Sequence, residues 1–262
     1  MTAAPGAATY LFCLVHAARR PSLAGAPPGL PGLGPVRLIP AAADLWLVAA
    51  EAPREHYDSG AIERQLRDLE WVALRGAAHE RVVEHFARRF TTLPMKLFTL
   101  FNDDARAVAH VLGAEARVRR VLQRVDGCRE WGVRVRLDPT LVRERAESRP
   151  KAAVSSRRSG TGFLLAKKRE RDVAREVLRE GRAAVEEAFE ELAGLAEATH
   201  RRAATELDGT RVVLDAALLV PTRQLPRFKR TVRRHVTGLA ARGYRLALTG
   251  PWPAYNFVGE SR

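Results

Sequence analysis

Glu130-Trp131-Gly132-Val133-Arg134-Val135-Arg136-Leu137 alternates apolar and basic residues almost without a break, which is the pattern of a β-strand with one face on a core and the other in water. Upstream, Gly127 closes a helical run opened by Asp103 and Asp104, in which Val108, Val111, Leu112, Val118, Leu122 and Val125 share one face. Downstream, Asp138 to about Ser159 is charged and Ser-rich, with Pro139 and Pro150 interrupting any period, and reads as a mobile basic connection at about 138–160. The alternating strand therefore starts a second half of the chain.

That second half continues with a long helix whose apolar stripe is Val173, Val177, Ala184, Val185, Ala188, Phe189, Leu192 and Leu195. Val212 to Val220 reads as a strand stopped at Pro221, and Leu225, Phe228, Val232, Val236 and Leu239 mark another helix. After Gly243 a last strand, Tyr244 to Leu248, is expected to halt at Gly250-Pro251, since proline has no amide hydrogen for the ladder.

Toward the N-terminus, residues 9 to 17 form a short apolar strand, followed by a Pro/Gly loop to Pro35. Val36 to Ile39 and Leu45 to Ala50 read as a hairpin. Asp58 or Ser59 is expected to cap a helix with Ile62, Leu66 and Leu69 at helical spacing. Val82, Val83, Phe86 and Phe90 mark a second helical face, and Leu93 to Phe101 reads as one proline-started strand. Neither half alternates strand and helix regularly, so the expected class is α+β. Two domains are expected, 1–127 and 128–262, each a small mixed or antiparallel sheet with helices.

The 262 residues are 46% hydrophobic, an ordinary globular balance that excludes a disordered polyelectrolyte. Cys13 and Cys128 stand far apart with no pairing or zinc pattern, which fits a reducing cytoplasm. Met1 to Thr9 lacks the regions of an export signal, and no apolar run is long enough for a membrane span. The net charge of +14 would attract polyanions, but residues 143–182 alone carry thirteen Lys/Arg against six Asp/Glu. Half of the excess thus sits in one connection and one helix start. A solvated surface is the preferred reading over a nucleic-acid site.

Three constellations invite chemistry. His79 and His85 superficially resemble a metalloprotease pair, but they are six positions apart, which places them about 120° apart around a helix, too divergent for one zinc ion. Gly29-Leu30-Pro31-Gly32-Leu33-Gly34 has the wrong spacing for a dinucleotide loop and leads into a strand. On the helix from Arg223 to Arg242, Arg227, Arg230 and Arg234 align beside Lys229 and Arg233, a basic face that could grip phosphates but lacks interleaved aromatics. With no Walker lysine motif, nucleophile elbow or convergent carboxylate pair, no catalytic residue, cofactor or metal is expected. The closing segment is another matter. Pro251, Trp252, Pro253, Tyr255, Asn256 and Phe257 concentrate apolar area at low entropy cost, either capping their own domain or facing a partner.

Read in order, Tyr10-Leu11-Phe12, Gly32-Leu33-Gly34, Asp44-Leu45, Ala78-His79-Glu80-Arg81-Val82, Leu93-Pro94-Met95-Lys96-Leu97-Phe98-Thr99, Glu130-Trp131-Gly132-Val133 and above all Gly250-Pro251-Trp252-Pro253-Ala254-Tyr255-Asn256-Phe257-Val258 resemble the gas vesicle protein F/L family (GvpF/GvpL) from about residue 9 to 258. The family commonly has arginine, phenylalanine and glycine at Lys96, Leu97 and Phe98, and proline at Ala254. The resemblance implies two α+β domains, the C-terminal one a modified ferredoxin-like arrangement. It also implies a non-enzymatic minor structural or assembly protein of gas vesicles, the protein-walled compartments that give buoyancy. Its implied partners are the hydrophobic shell protein and other accessory gas vesicle proteins, and its implied location is the cytoplasm and the vesicle. A basic nucleic-acid-binding module is the alternative that charge alone suggests.

Overall fold

The computed structural model describes residues 7–57, 59–148, 160–203, 206–207 and 210–259. The chain divides into two units, one comprising residues up to Arg129 together with the segment from Trp252 onward, the other Glu130–Pro251. The boundary expected at residue 127 assigned the closing segment to the C-terminal domain. Packing places the segment from Trp252 with the first unit instead, where Tyr255 lies against the apolar core.

The first unit is built on an antiparallel sheet of β1 (Ala7–His16), β2 (Arg37–Ala42), β3 (Leu45–Pro53), β4 (Thr91–Pro94) and β5 (Leu100–Phe101), in the order β2-β3-β1-β4 with β5 also on β1. Tyr10 to Val15 of β1 are wholly buried, as befits a central strand covered on both faces. The expected hairpin is β2 and β3. The expected single strand from Leu93 to Phe101 is broken: β4 and β5 pair with opposite ends of β1, and residues 95–99 loop out between them. The break lies where β1 is itself irregular, its register against β3 shifting between Leu11 and Cys13. There the Leu11 amide donates to Thr99 O (2.9 Å) and the Met95 amide to Phe12 O (2.9 Å), so the loop remains tied to the strand it interrupts.

Between β3 and β4 come α1 (Arg54–Tyr57), α2 (Ser59–Gln65) and α3 (Leu69–Ala87). Asp58 lies outside the described residues. The cap that acts here is Asp68, whose carboxylate accepts the amides of Glu70 and Trp71 (both 3.0 Å) and so starts a new helix at Leu69. The helical stripe expected through Ile62, Leu66 and Leu69 is consequently broken, and Leu66 and Leu69 are 48% and 81% exposed. Val82, Val83 and Phe86 of α3 do pack against β1. The helix expected after Asp103 is two, α4 (Asp104–Gly113) and α5 (Glu115–Val125), parted at Ala114. Asp104 in the first turn of α4 accepts two bonds from Arg37 (2.6 and 2.7 Å) and one from Thr9 (2.6 Å), fastening α4 to β1 and β2 by charge-assisted bonds.

The second unit runs β6 (Cys128–Leu137), α6 (Pro139–Ser148), α7 (Gly160–Ala193), β7 (Ala198–Arg201), β8 (Glu206–Leu207), β9 (Thr210–Pro221), α8 (Leu225–Ala240) and β10 (Tyr244–Trp252). Its strand order is β10-β6-β9-β7, with β8 on β9. This is the β-α-β-β-α-β ferredoxin-like arrangement, modified by the extra helix α6 and the short strand β8. Alternate residues of β6 and β9 face the helices: Trp131, Val133 and Val135 meet Leu214, Ala216, Leu218 and Val220, with Phe189 and Leu192 of α7 and Phe228 and Val232 of α8.

Two expectations fail here for local reasons. The mobile connection is helical over Pro139–Ser148, since a proline at the first helical position forfeits no bond and Asp138 accepts the amides of Thr140 (3.1 Å) and Leu141 (3.3 Å). Residues 149–159 of that connection lie outside the described residues. The last strand does not halt at Gly250-Pro251 but runs to Trp252, which is permitted because β10 is an edge strand with one unpaired side.

Candidate functional site

The closing segment was the strongest candidate in the sequence, and it divides by burial. Pro253, Ala254 and Phe257 are buried, Tyr255 and Asn256 half-buried, and Pro251 and Trp252 exposed, Trp252 to 43%. A short 3-10 turn, Tyr255–Phe257, brings Tyr255 against the apolar core of the first unit, and an Arg124 guanidinium donates to Phe257 O from α5. Burial raises the Tyr255 phenol above its ordinary range, and the neighbouring Glu80 carboxylate raises it further. Most of the segment therefore closes the first unit. Its outward-facing part is Pro251 and Trp252. Ala254 has φ −76°, a value proline accepts, consistent with the proline common at this position in the family that the sequence resembles.

The Ala78–Val82 and Leu93–Thr99 stretches meet around one buried histidine. Tyr10 Oη donates to His79 Nδ1 (2.7 Å), His79 Nε2 donates to Met95 O (3.1 Å), and the Phe98 amide donates to Tyr10 Oη (3.3 Å). This chain pins the 95–99 loop over the β1 irregularity. Phe98 has φ 63°, a left-handed conformation costing an L-residue roughly 1–2 kcal/mol, where the family commonly has glycine. Stacking of its ring on Trp71 (5.4 Å between centroids) and the bond to Tyr10 offset that strain. On the outer side Arg75 lies over Trp71, 3.9 Å from the ring centre.

Burial lowers the His79 pKa to about 4, so the ring is neutral in the fold. In the unfolded chain it titrates near the ordinary value of about 6.5. Between these values the unfolded state binds the extra proton, so His79 contributes stability above about pH 6.5 that is lost as pH falls through about 4. The full loss is about 3 kcal/mol. Urea unfolding at pH 7 and pH 4.5 checks this: the wild-type midpoint is expected to drop more than that of His79→Gln, and equal drops would refute it.

The Pro/Gly loop, His85 and the cysteines each sit in a packed setting. Positive φ at Gly29 (87°) and Gly32 (84°) lets the Pro/Gly loop fold onto the sheet, where Leu30 is buried and Tyr57 Oη donates to Pro31 O (2.6 Å). His85 packs edge-on against Phe86 and accepts from Arg89. Cys13 and Cys128 are buried thiols that form no disulfide. Among the described residues no group of three or more His, Cys, Asp or Glu side chains is placed to hold a metal ion, and no helix is long and apolar enough to cross a membrane.

The basic helix face exists as a surface: Arg227, Arg230, Arg233 and Arg234 of α8 are all exposed. Arg234 is paired with Glu191 of α7, which also bonds His235 (2.7 Å). Lys229 lies over the buried Trp131 ring, 5.2 Å from its centre.

Element order and strand order together define a two-unit α+β protein whose second unit is a modified ferredoxin-like domain. The family model described as gas vesicle synthesis protein GvpL/GvpF matches residues 8–259, and the chain belongs to that family. It is 31% identical over 251 residues to gas vesicle protein L of Streptomyces sp. (strain CB03234), covering 94% of this chain and 92% of that protein. The fold is similar to the crystal structures of GvpF from Anabaena sp. PCC7120 (TM-score 0.69, 18% identity, 98% of each chain) and from Microcystis aeruginosa (TM-score 0.67, 16% identity, 97% of this chain and 99% of that one).

Proposed function

We propose that this chain is a non-catalytic accessory or minor structural protein of gas vesicle assembly, acting in the cytoplasm by binding the shell protein and other accessory gas vesicle proteins. The family match across both units, residues 8–259, carries this reading. A surface suited to an apolar client supports it. Leu66, just before α3, and Leu69 and Leu74 within it are 48%, 81% and 53% exposed, large apolar side chains left outside the core. Such side chains would contact an aggregation-prone subunit until it joins the wall.

Co-expression with the shell protein tests it. The shell protein is expected to co-purify with the wild-type chain, and L69E/L74E is expected to reduce capture severalfold without loss of folding, since both side chains are solvent-facing. If the shell protein never co-purifies and vesicles form equally well without this chain, the reading fails.

A further inference from the structure

The outer face of α8 is charged against its own helix. Arg227, Lys229 and Arg230 occupy its first turns, where no acidic residue stands, and cations there oppose the positive end of the helix dipole. The arrangement does not serve helix stability. Nor is the charge used inside the fold: among the described residues the side chains of Arg227, Arg230 and Arg233 have no ion-pair or hydrogen-bond partner, and all three are exposed. With Arg234 they form a strip about 10 Å long at 1.5 Å per residue, on the side of α8 opposite the buried Phe228 and Val232.

We propose that this strip is a docking surface for an acidic helical segment of a partner protein, an interaction distinct from the apolar binding proposed above. A helix with glutamates at i, i+3 or i+4 and i+7 matches the strip in length and repeat. Two observations favour a short acidic segment over a nucleic acid. The strip ends at a carboxylate of α7: Glu191 is bonded to Arg234, and Glu187 and Glu190 stand exposed within a turn of Glu191 on that helix. A phosphate backbone continuing past Arg234 meets that negative surface. The aromatics of this region, Trp131, Phe228 and Tyr244, are buried, leaving no platform on which the bases of a single strand stack.

The test uses the full chain and a fluorescein-labelled 20-residue Ala/Gln helical peptide whose glutamates are confined to its two central turns, a span of about 10 Å, read by fluorescence anisotropy. Binding is expected to weaken at least tenfold in R227E/R230E/R233E and at least tenfold between 0.05 and 0.5 M salt, while a peptide with lysine at the same positions does not bind. Circular dichroism checks that the variant is folded, and R227Q/R230Q/R233Q, with a smaller charge change, replaces it if it is not. The proposal is overturned if the acidic peptide does not bind, or if it binds the variant as well as the wild type. Tighter binding of a 20-base-pair duplex with the same loss in the variant would assign the strip to nucleic acid instead. A dimer that the variant splits in light scattering would assign it to a second copy.

Discussion

Gly181→Ala is expected to destabilise the second unit by roughly 3 kcal/mol, although alanine in mid-helix ordinarily gains about 1 kcal/mol over glycine. Gly181 lies within α7, and a Cβ there would stand 2.0 Å from Tyr244 Cε2 and 2.7 Å from Cζ. The ring cannot step aside. It is fully buried in the core between α7 and the sheet, and its hydroxyl donates to Leu178 O (3.3 Å) one turn earlier in the helix. Urea unfolding measures the effect, and Gly181→Ala in a Tyr244→Ala background should recover the ordinary helix gain, because the obstacle is gone. A single variant as stable as wild type would show that the helix and ring are not in the contact described.

Phe257→Ala is expected to cost the first unit about 3–5 kcal/mol, although Arg124, which holds it there, is 133 residues away in sequence. Phe257 is 3% exposed, and its carbonyl is held by Arg124. Trp252→Ala, at a side chain 43% exposed, is expected to change stability by less than about 1 kcal/mol. The pair separates the two roles offered by the closing segment. Unfolding of the first unit by the Phe257 change, followed by urea or limited proteolysis, marks the cap. Loss of partner capture in a folded Trp252 variant marks a contact surface. The reverse pattern, a tolerant Phe257 and a Trp252 change that unfolds the unit, would contradict the packing.

Much of the fold is legible in periodicity because burial is periodic. The alternation of β6 survives intact as Trp131, Val133 and Val135 facing one core, and the α8 stripe survives through Phe228, Val232 and Leu239. What was missed lacks such a signal. β7, Ala198–Arg201, is largely exposed and has no apolar pattern, yet its pairing with β9 completes the ferredoxin-like order. The 95–99 loop reads as strand because its side chains are mostly apolar, and only its fit to the irregular part of β1 reveals the interruption. At the candidate surfaces the same rule holds. The arginine strip on α8 follows from helical spacing, whereas the exposure of Leu66 and Leu69 depends on Asp68 starting a new helix between them.

Sequence alone determined the α+β class, the two-part organisation and, through a series of motifs ending in the closing segment, the family. It could do so because side-chain pattern and turn chemistry are local properties. Only the tertiary structure decided that Tyr255 and Phe257 belong to the first unit, that His79 is a buried neutral link between β1 and the 95–99 loop, and that among the described residues Arg227, Arg230 and Arg233 have no side-chain partner while Arg234 has one. Each of these is set by which distant groups arrive beside a residue, and burial and pairing energies act on that arrival, not on spacing along the chain.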